Sequence, residues 1–268
     1  MAIALSHGGT NIYSSSAPAR EVLVGTADGV VLMERDASRA GWRVAHRALS
    51  GRHVSSIVID PDSGTVFAGA FEGGLHASVD GGKTWERRDA GIPFDDVWSL
   101  GLARGSGVVR LYAGTQPAHL FFSEDLGQTW TELPSLRSVA SVDRWSFPAP
   151  PHIAHTKFIN FDPEDPTTVY ACIEQGTLLK SVDSGESWTE INTLGFYQDK
   201  GRAKGLFYDT HKLIIDPRDP RKMYVTGGAG LYVTFDGGAG WERWMSPDWE
   251  KDVYPDALVL RPSQPDVM

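Results

Sequence analysis

An all-β fold made of repeated four-stranded antiparallel sheets is what this sequence predicts, and three observations carry the prediction. A short segment recurs four times, as SVDGGKTW at Ser78 to Trp85, SEDLGQTW at Ser123 to Trp130, SVDSGESW at Ser181 to Trp188 and TFDGGAGW at Thr234 to Trp241. Around each copy, short runs rich in β-branched and aromatic residues alternate with Gly, Pro and Asp turns. Gly (29) and Pro (16) make about 17% of the 268 residues against a usual total of ~12%, and no long stretch has helical periodicity.

Each recurring segment reads Ser/Thr, x, Asp, x, Gly, x, x, Trp. The Asp side chain can accept bonds from the amides of its own turn while Gly takes a left-handed backbone conformation without steric cost. The spacing from Asp to Trp is the same in all four copies, so one hairpin geometry is reused. The strands around it are plainest at 212–244, where KLIID, KMYVTGG, GLYVT and GWERW read as four strands in a meander. Residues 56–88, 98–133 and 158–191 repeat the pattern. Units of 45 to 58 residues between equivalent Trp positions predict a β-propeller of four-stranded antiparallel blades.

Two partial units flank these four. Glu21 to Val44 carries a longer, degenerate turn from Asp36 to Trp42 and has no first strand directly before it. Ala257 to Met268 matches Lys212 to Met223 and then stops. The expectation is a single propeller domain over 1–268, an incomplete ring of about five blades plus a partial one at 257–268, truncated at its C-terminus. The N-terminal stretch IALSHGGTNIY is expected to add a strand to the last blade.

The formal charge of −9 sets up a field that repels phosphate backbones, so nucleic acid is excluded as a partner. Cys172 is the only cysteine, and an internal disulfide is excluded with it. The first residues lack the basic region of a signal peptide and no apolar run is long enough to span a bilayer. No membrane association and a cytoplasmic location are the expectations.

The four segments resemble the Asp-box, or BNR, repeat of sialidases, sortilin-type receptors, photosystem assembly factors and uncharacterised bacterial propellers, within the WD40/YVTN/BNR-like, sialidase-like superfamily. The resemblance covers Glu21 to Met268. It implies that Asp80, Asp125, Asp183 and Asp236 sit on the turn between third and fourth strands, and that Trp85, Trp130, Trp188 and Trp241 pack between sheets. Both sets are then structural. Sialidase chemistry, as the resemblance implies it, needs three arginines, a Tyr/Glu pair and an acidic acid/base. The equivalent positions here carry His, Asp and Lys, and the Arg-Ile-Pro element is replaced by a mere GIP at Gly91 to Pro93.

Chemistry is expected where the loops of a propeller open around its channel. Aligned on Asp60, Ala103, Asp162, Asp216 and Arg261, the units place His53, Asp96, His155, Asp209 and Tyr254 seven positions earlier. Five positions earlier stand Ser55, Trp98, Lys157, His211 and Asp256. Loops between second and third strands add Glu72, His119, Glu174 and Gln175. Imidazoles and carboxylates gathered at one mouth suit a polar ligand, a divalent cation or acid–base work. Two long connections are expected over the same mouth, Pro134 to Thr156 with Arg144, Trp145 and Phe147, and Asn192 to Thr210. The leading functional reading is a propeller that binds a small polar ligand or a protein partner. The alternative is a hydrolase or lyase, metal-assisted or glycosidase-like.

Overall fold

The computed structural model describes residues 2–10, 18–36, 41–105, 108–191, 209–228, 230–244, 255, 258 and 260. The second long connection, Asp256 and nearly all of the partial unit at 257–268 lie outside the described residues. Among those described, strands form five four-stranded sheets, the blades expected of a propeller. The first holds β1 (Ala2–Leu5), β2 (Glu21–Thr26), β3 (Gly29–Asp36) and β4 (Gly41–Ala48). The second holds β5 (His53–Ile59), β6 (Val66–Phe71), β7 (Gly74–Ser78) and β8 (Glu86–Arg87). The third holds β9 (Asp96–Gly105), β10 (Val108–Gln116), β11 (Leu120–Ser123) and β12 (Thr131–Glu132). The fourth holds β13 (Thr156–Phe161), β14 (Val169–Ile173), β15 (Thr177–Ser181) and β16 (Thr189–Ile191). The fifth holds β17 (Thr210–Asp216), β18 (Asp219–Gly227), β19 (Gly230–Thr234) and β20 (Glu242–Trp244). No helix among the described residues is long and apolar enough to cross a membrane.

The chain divides into two compact units. One comprises Met1–Gln116 with Phe121–Glu132, and the other Pro117–Leu120 with Leu133–Met268. In the first unit, the second and third sheets bury Val58, Phe67, Leu75, Val97, Leu111, Phe121 and Trp130 against one another. In the second unit, the fourth and fifth sheets do the same with Phe158, Tyr170, Leu178, Leu213, Val225, Tyr232 and Trp241. Each strand contributes alternate side chains to such a layer, which is why its sequence reads as a short apolar run.

The recurring turn has one hydrogen-bond pattern. The hydroxyl of Ser78, Ser123, Ser181 or Thr234 donates to the Asp two residues on, at 2.7–2.8 Å. The same hydroxyl accepts from the amide of Gly82, Gly127, Gly185 or Gly238. The Asp in turn accepts from the residue before the Trp, whose hydroxyl also donates at 2.6 Å in Thr84, Thr129 and Ser187. Gly240 replaces that hydroxyl in the last copy and gives only its amide, at 2.9 Å. The turn glycine is required by contact as well as by backbone. Gly127 has φ +78°, and a Cβ there would lie 3.1 Å from Phe67 of the preceding sheet.

Those bonds hold the turn carboxyls below the usual range. In Asp183 the Ser187 hydroxyl is the first cause and the value falls to about 2; in Asp125 the Thr129 bonds outweigh burial and give about 2. A depressed carboxyl stabilises the fold fully above its unfolded value near ~4 and loses that contribution as pH falls through the folded one. We therefore expect the urea midpoint of the native chain to exceed that of Asp183→Asn by a constant margin above about pH 5, shrinking to nothing near pH 2. A margin insensitive to acid would contradict the assignment.

The N-terminal stretch departs from expectation. β1 pairs with β2 of the first sheet, in parallel register from Ala2↔Glu21 to Leu5↔Val24, and fills the place for which no preceding first strand existed. It does not join the last sheet, and the first sheet is therefore mixed. The chain then passes Ser6–Gly9 across the second and third sheets. Gly8 donates to the Ser55 carbonyl at 2.9 Å and accepts from Leu100 at 3.1 Å, and the Ile57 amide donates to Ser6 Oγ at 2.7 Å. A side chain at Gly8 or Gly9 would run into the carbonyls of Trp98 or Ile57, so the Gly-Gly pair marks a close backbone approach.

Candidate functional site

Four of the sheets share a defect near the start of the first strand. The pairing slips between Val54 and Ser56, between Thr156 and Phe158, and between Thr210 and Lys212, and in the third sheet it passes over Trp98. Ser55, Trp98, Lys157 and His211 are the residues left over. A bulge bends its strand and re-aims one side chain, so the alignment column five positions before Asp60, Ala103, Asp162 and Asp216 is a column of bulge residues.

The first unit spends this column on structure. Ser55 Oγ donates toward the carbonyls of Gly69 (3.1 Å) and Val97 (2.6 Å). His53 lies edge-on to Phe71, and Phe71 edge-on to Trp98. Asp96 accepts from the Glu72 amide at 2.7 Å, where Glu72 has φ +52°, so the carboxylate caps a left-handed turn residue. Glu72 itself is exposed.

The second unit gathers chemistry instead. Glu174, in the turn between β14 and β15, stands among side chains from the starts of β13 and β17. Its Oε2 lies 2.8 Å from His155 Nε2 and 2.8 Å from Lys157 Nζ. Its Oε1 lies 4.0 Å from His211 Nε2, which is 3.3 Å from Asp209 Oδ1. The other ring nitrogen of His211, Nδ1, is 3.2 Å from the carbonyl of Pro255. All five residues are buried, none more than 7% exposed. Gly228 makes the corner tight: its amide donates to the Asp209 carbonyl at 3.0 Å, and any Cβ there would overlap the Asp209 carboxylate.

Burial alone would raise the Glu174 carboxyl, but the hydrogen bond from His155 and the Lys157 ammonium outweigh it and hold the group at about 2. Glu174 is an anion at every physiological pH. Beside it, burial pushes the Cys172 thiol up to about 12, so Cys172 is neither nucleophile nor thiolate ligand at neutral pH.

The first long connection is fastened to this corner. Two short 3-10 turns, Pro134–Ser138 and Val142–Arg144, bury Leu136. The Ser141 amide donates to Glu190 Oε1 at 2.8 Å, Trp145 Nε1 donates to Ser141 Oγ at 2.9 Å, and the Ser146 amide donates to the Gln175 carbonyl at 3.2 Å. Phe147 meets the His155 ring edge-on at 5.1 Å. Arg144 is exposed. His119 contributes its carbonyl, which accepts from Thr156 Oγ1 at 3.0 Å. The structure thus brings together His155, Lys157, Glu174, Asp209 and His211 from the sequence candidates. His53, Asp96 and Glu72 belong to the other unit. Sequence reasoning missed the bulges, the Pro255 carbonyl and Gly228; the Gly-Gly pair after β18 was the available signal for close approach.

No protein-family model matches the chain. An oligoxyloglucan-reducing-end-specific xyloglucanase of Emericella nidulans is 31% identical over 80 residues, 28% of this chain and 9% of that protein. Among solved structures, a GH74 enzyme from Niastella koreensis superposes with a TM-score of 0.56 at 17% identity, covering 82% of this chain and 35% of its own. A GH74 xyloglucanase from Xanthomonas campestris gives 0.55 at 18% identity, covering 83% and 37%. The chain therefore spans about a tenth to a third of the length of these proteins, and the structural likeness is one of β-propeller fold.

Proposed function

We propose that this chain is an Asp-box β-propeller that binds a small polar ligand at the corner of its second unit built around Glu174. One observation carries the reading: five ionisable side chains from three chain segments converge there, two of them aimed by strand bulges, beneath a connection that carries Trp145 and Phe147. Hydrogen-bonding groups set in an apolar surround are what orient a polar ligand.

A second reading, a glycosidase, is favoured by the local identity to a xyloglucanase. The buried carboxylates do not suit it. Ligand oxygens of Glu174 and Asp209 lie within 4.8 Å of each other, closer than the ~6.5–9.5 Å of an inverting pair and the ~5–5.5 Å of a retaining pair. Glu174, held ionised, also lacks the proton that a general acid must give. A catalytic pair would have to come from other carboxylates.

Xyloglucan oligosaccharides and a panel of acidic sugars separate the two, read by thermal shift and by chromatography of the sugar. The binding reading expects stabilisation by at least one member without cleavage, lost in Glu174→Gln. Absence of any shift, or a shift that Glu174→Gln leaves intact, would overturn it. Cleavage that survives Glu174→Gln and dies with another carboxylate would establish the glycosidase.

A further inference from the structure

We infer that Glu174, Asp209 and His211 hold one divalent transition cation, Zn2+ or Mn2+; the inference deepens the ligand-binding reading, since the ion would occupy the same corner. The three residues are buried, and one donor atom from each lies within 4.8 Å of the others. Bonds of ~2.0–2.2 Å to a shared ion place neighbouring donors roughly 3–4 Å apart, the range of the 3.3 and 4.0 Å separations from His211 Nε2.

The state of the imidazole is the central point. A carbonyl can only accept, so His211 Nδ1 facing Pro255 carries the proton. Nε2 then faces Asp209 Oδ1 at 3.3 Å and Glu174 Oε1 at 4.0 Å, the placement from which a ring nitrogen shares one ion with both carboxylates. A ring held by N–H to a backbone carbonyl while its other nitrogen faces anionic donors is the usual support of a metal-bound histidine.

Two further observations point the same way. Asp209 is 5% exposed, yet its Oδ1 accepts no hydrogen bond among the described residues. Glu174 divides its oxygens, with Oε2 given to His155 and Lys157 and Oε1 turned toward His211. Among the described residues these two buried carboxylates face one ammonium, that of Lys157, and an unbalanced buried charge is costly. One imidazole and two carboxylates suit Zn2+ or Mn2+ rather than a soft, thiolate-seeking ion, and three protein donors leave positions for an exchangeable ligand.

The test is calorimetric titration of the chelator-treated whole chain with Mn2+ and with Zn2+. The expected result is one ion per chain, with affinity reduced at least tenfold in Asp209→Asn and in Glu174→Gln and unchanged in His46→Ala. Lys157→Met removes the ammonium that competes for Glu174 and should tighten binding, a gain that misfolding does not mimic. No uptake by the native chain overturns the inference; uptake that both carboxylate variants retain overturns it by placing the ion elsewhere. Sugar binding measured in chelator separates the two readings. Binding that persists there in a chain taking up no ion sinks only the cation, whereas ion uptake without binding of any sugar sinks only the ligand reading.

Discussion

Replacing Glu174 with Ala is expected to cost about 3–5 kcal/mol, because it removes the carboxylate that the buried Lys157 ammonium and the buried His155 ring both face at 2.8 Å. For a unit of this size that corresponds to a fall in Tm of roughly 10 °C. The sign of the pH effect follows from the carboxyl at about 2: the contribution is complete above the unfolded value near ~4 and disappears only as pH falls through the folded one. Glu174→Ala should therefore differ most from the native chain at neutral pH and least near pH 2. The double variant Glu174→Ala/Lys157→Met should recover part of the loss, since it removes the stranded charge. Thermal melts of the two variants at pH 7 check this; a single variant as stable as the native chain would mean that Lys157 is not held by Glu174.

Trp241→Ala is expected to cost a similar ~3–5 kcal/mol, by emptying a layer in which the ring is 2% exposed. Gly238, whose Cβ position lies 3.2 Å from Ile191 and 3.7 Å from the Trp241 ring, shows how closely that ring and the fourth sheet approach the turn. Trp244, three residues on and 46% exposed, lies on the outer strand, and Trp244→Ala should cost less than ~1 kcal/mol. Urea unfolding of the pair measures the contrast. Equal losses would mean that Trp241 is not the intersheet anchor.

Much of the fold was legible because its signals are local. A hydroxyl, an Asp, a Gly and a Trp at fixed spacing encode a turn whose hydroxyl and carboxylate bonds close within eight residues, and Ser78 to Trp85 reads the same way in sequence and in space. The strands around it read as short apolar runs because both of their faces are buried. The first strand of the first sheet was not legible, because β1 pairs in parallel with a strand that follows a long connection, and nothing in Ala2–Leu5 distinguishes that partner from another sheet edge.

The site was half legible. Alignment of the units found the columns that contain His155, Lys157, Asp209 and His211, and the turn that contains Glu174. It did not separate His53 and Asp96, which occupy the same column as His155 and Asp209 yet serve an aromatic stack and a turn cap. The difference arises from neighbours: Glu174 is buried where Glu72 is exposed, and only contacts between strands decide that. Bulges are equally silent in sequence, since one surplus residue such as Lys157 or His211 looks like any other member of a strand.

The most direct measurement is an anomalous diffraction map from crystals of the whole chain grown with Mn2+. The account predicts a single strong peak between Glu174 Oε1, Asp209 Oδ1 and His211 Nε2, with Lys157 on the opposite oxygen of Glu174. A map without a peak there, in crystals whose density shows His211 turned away from both carboxylates, would contradict it.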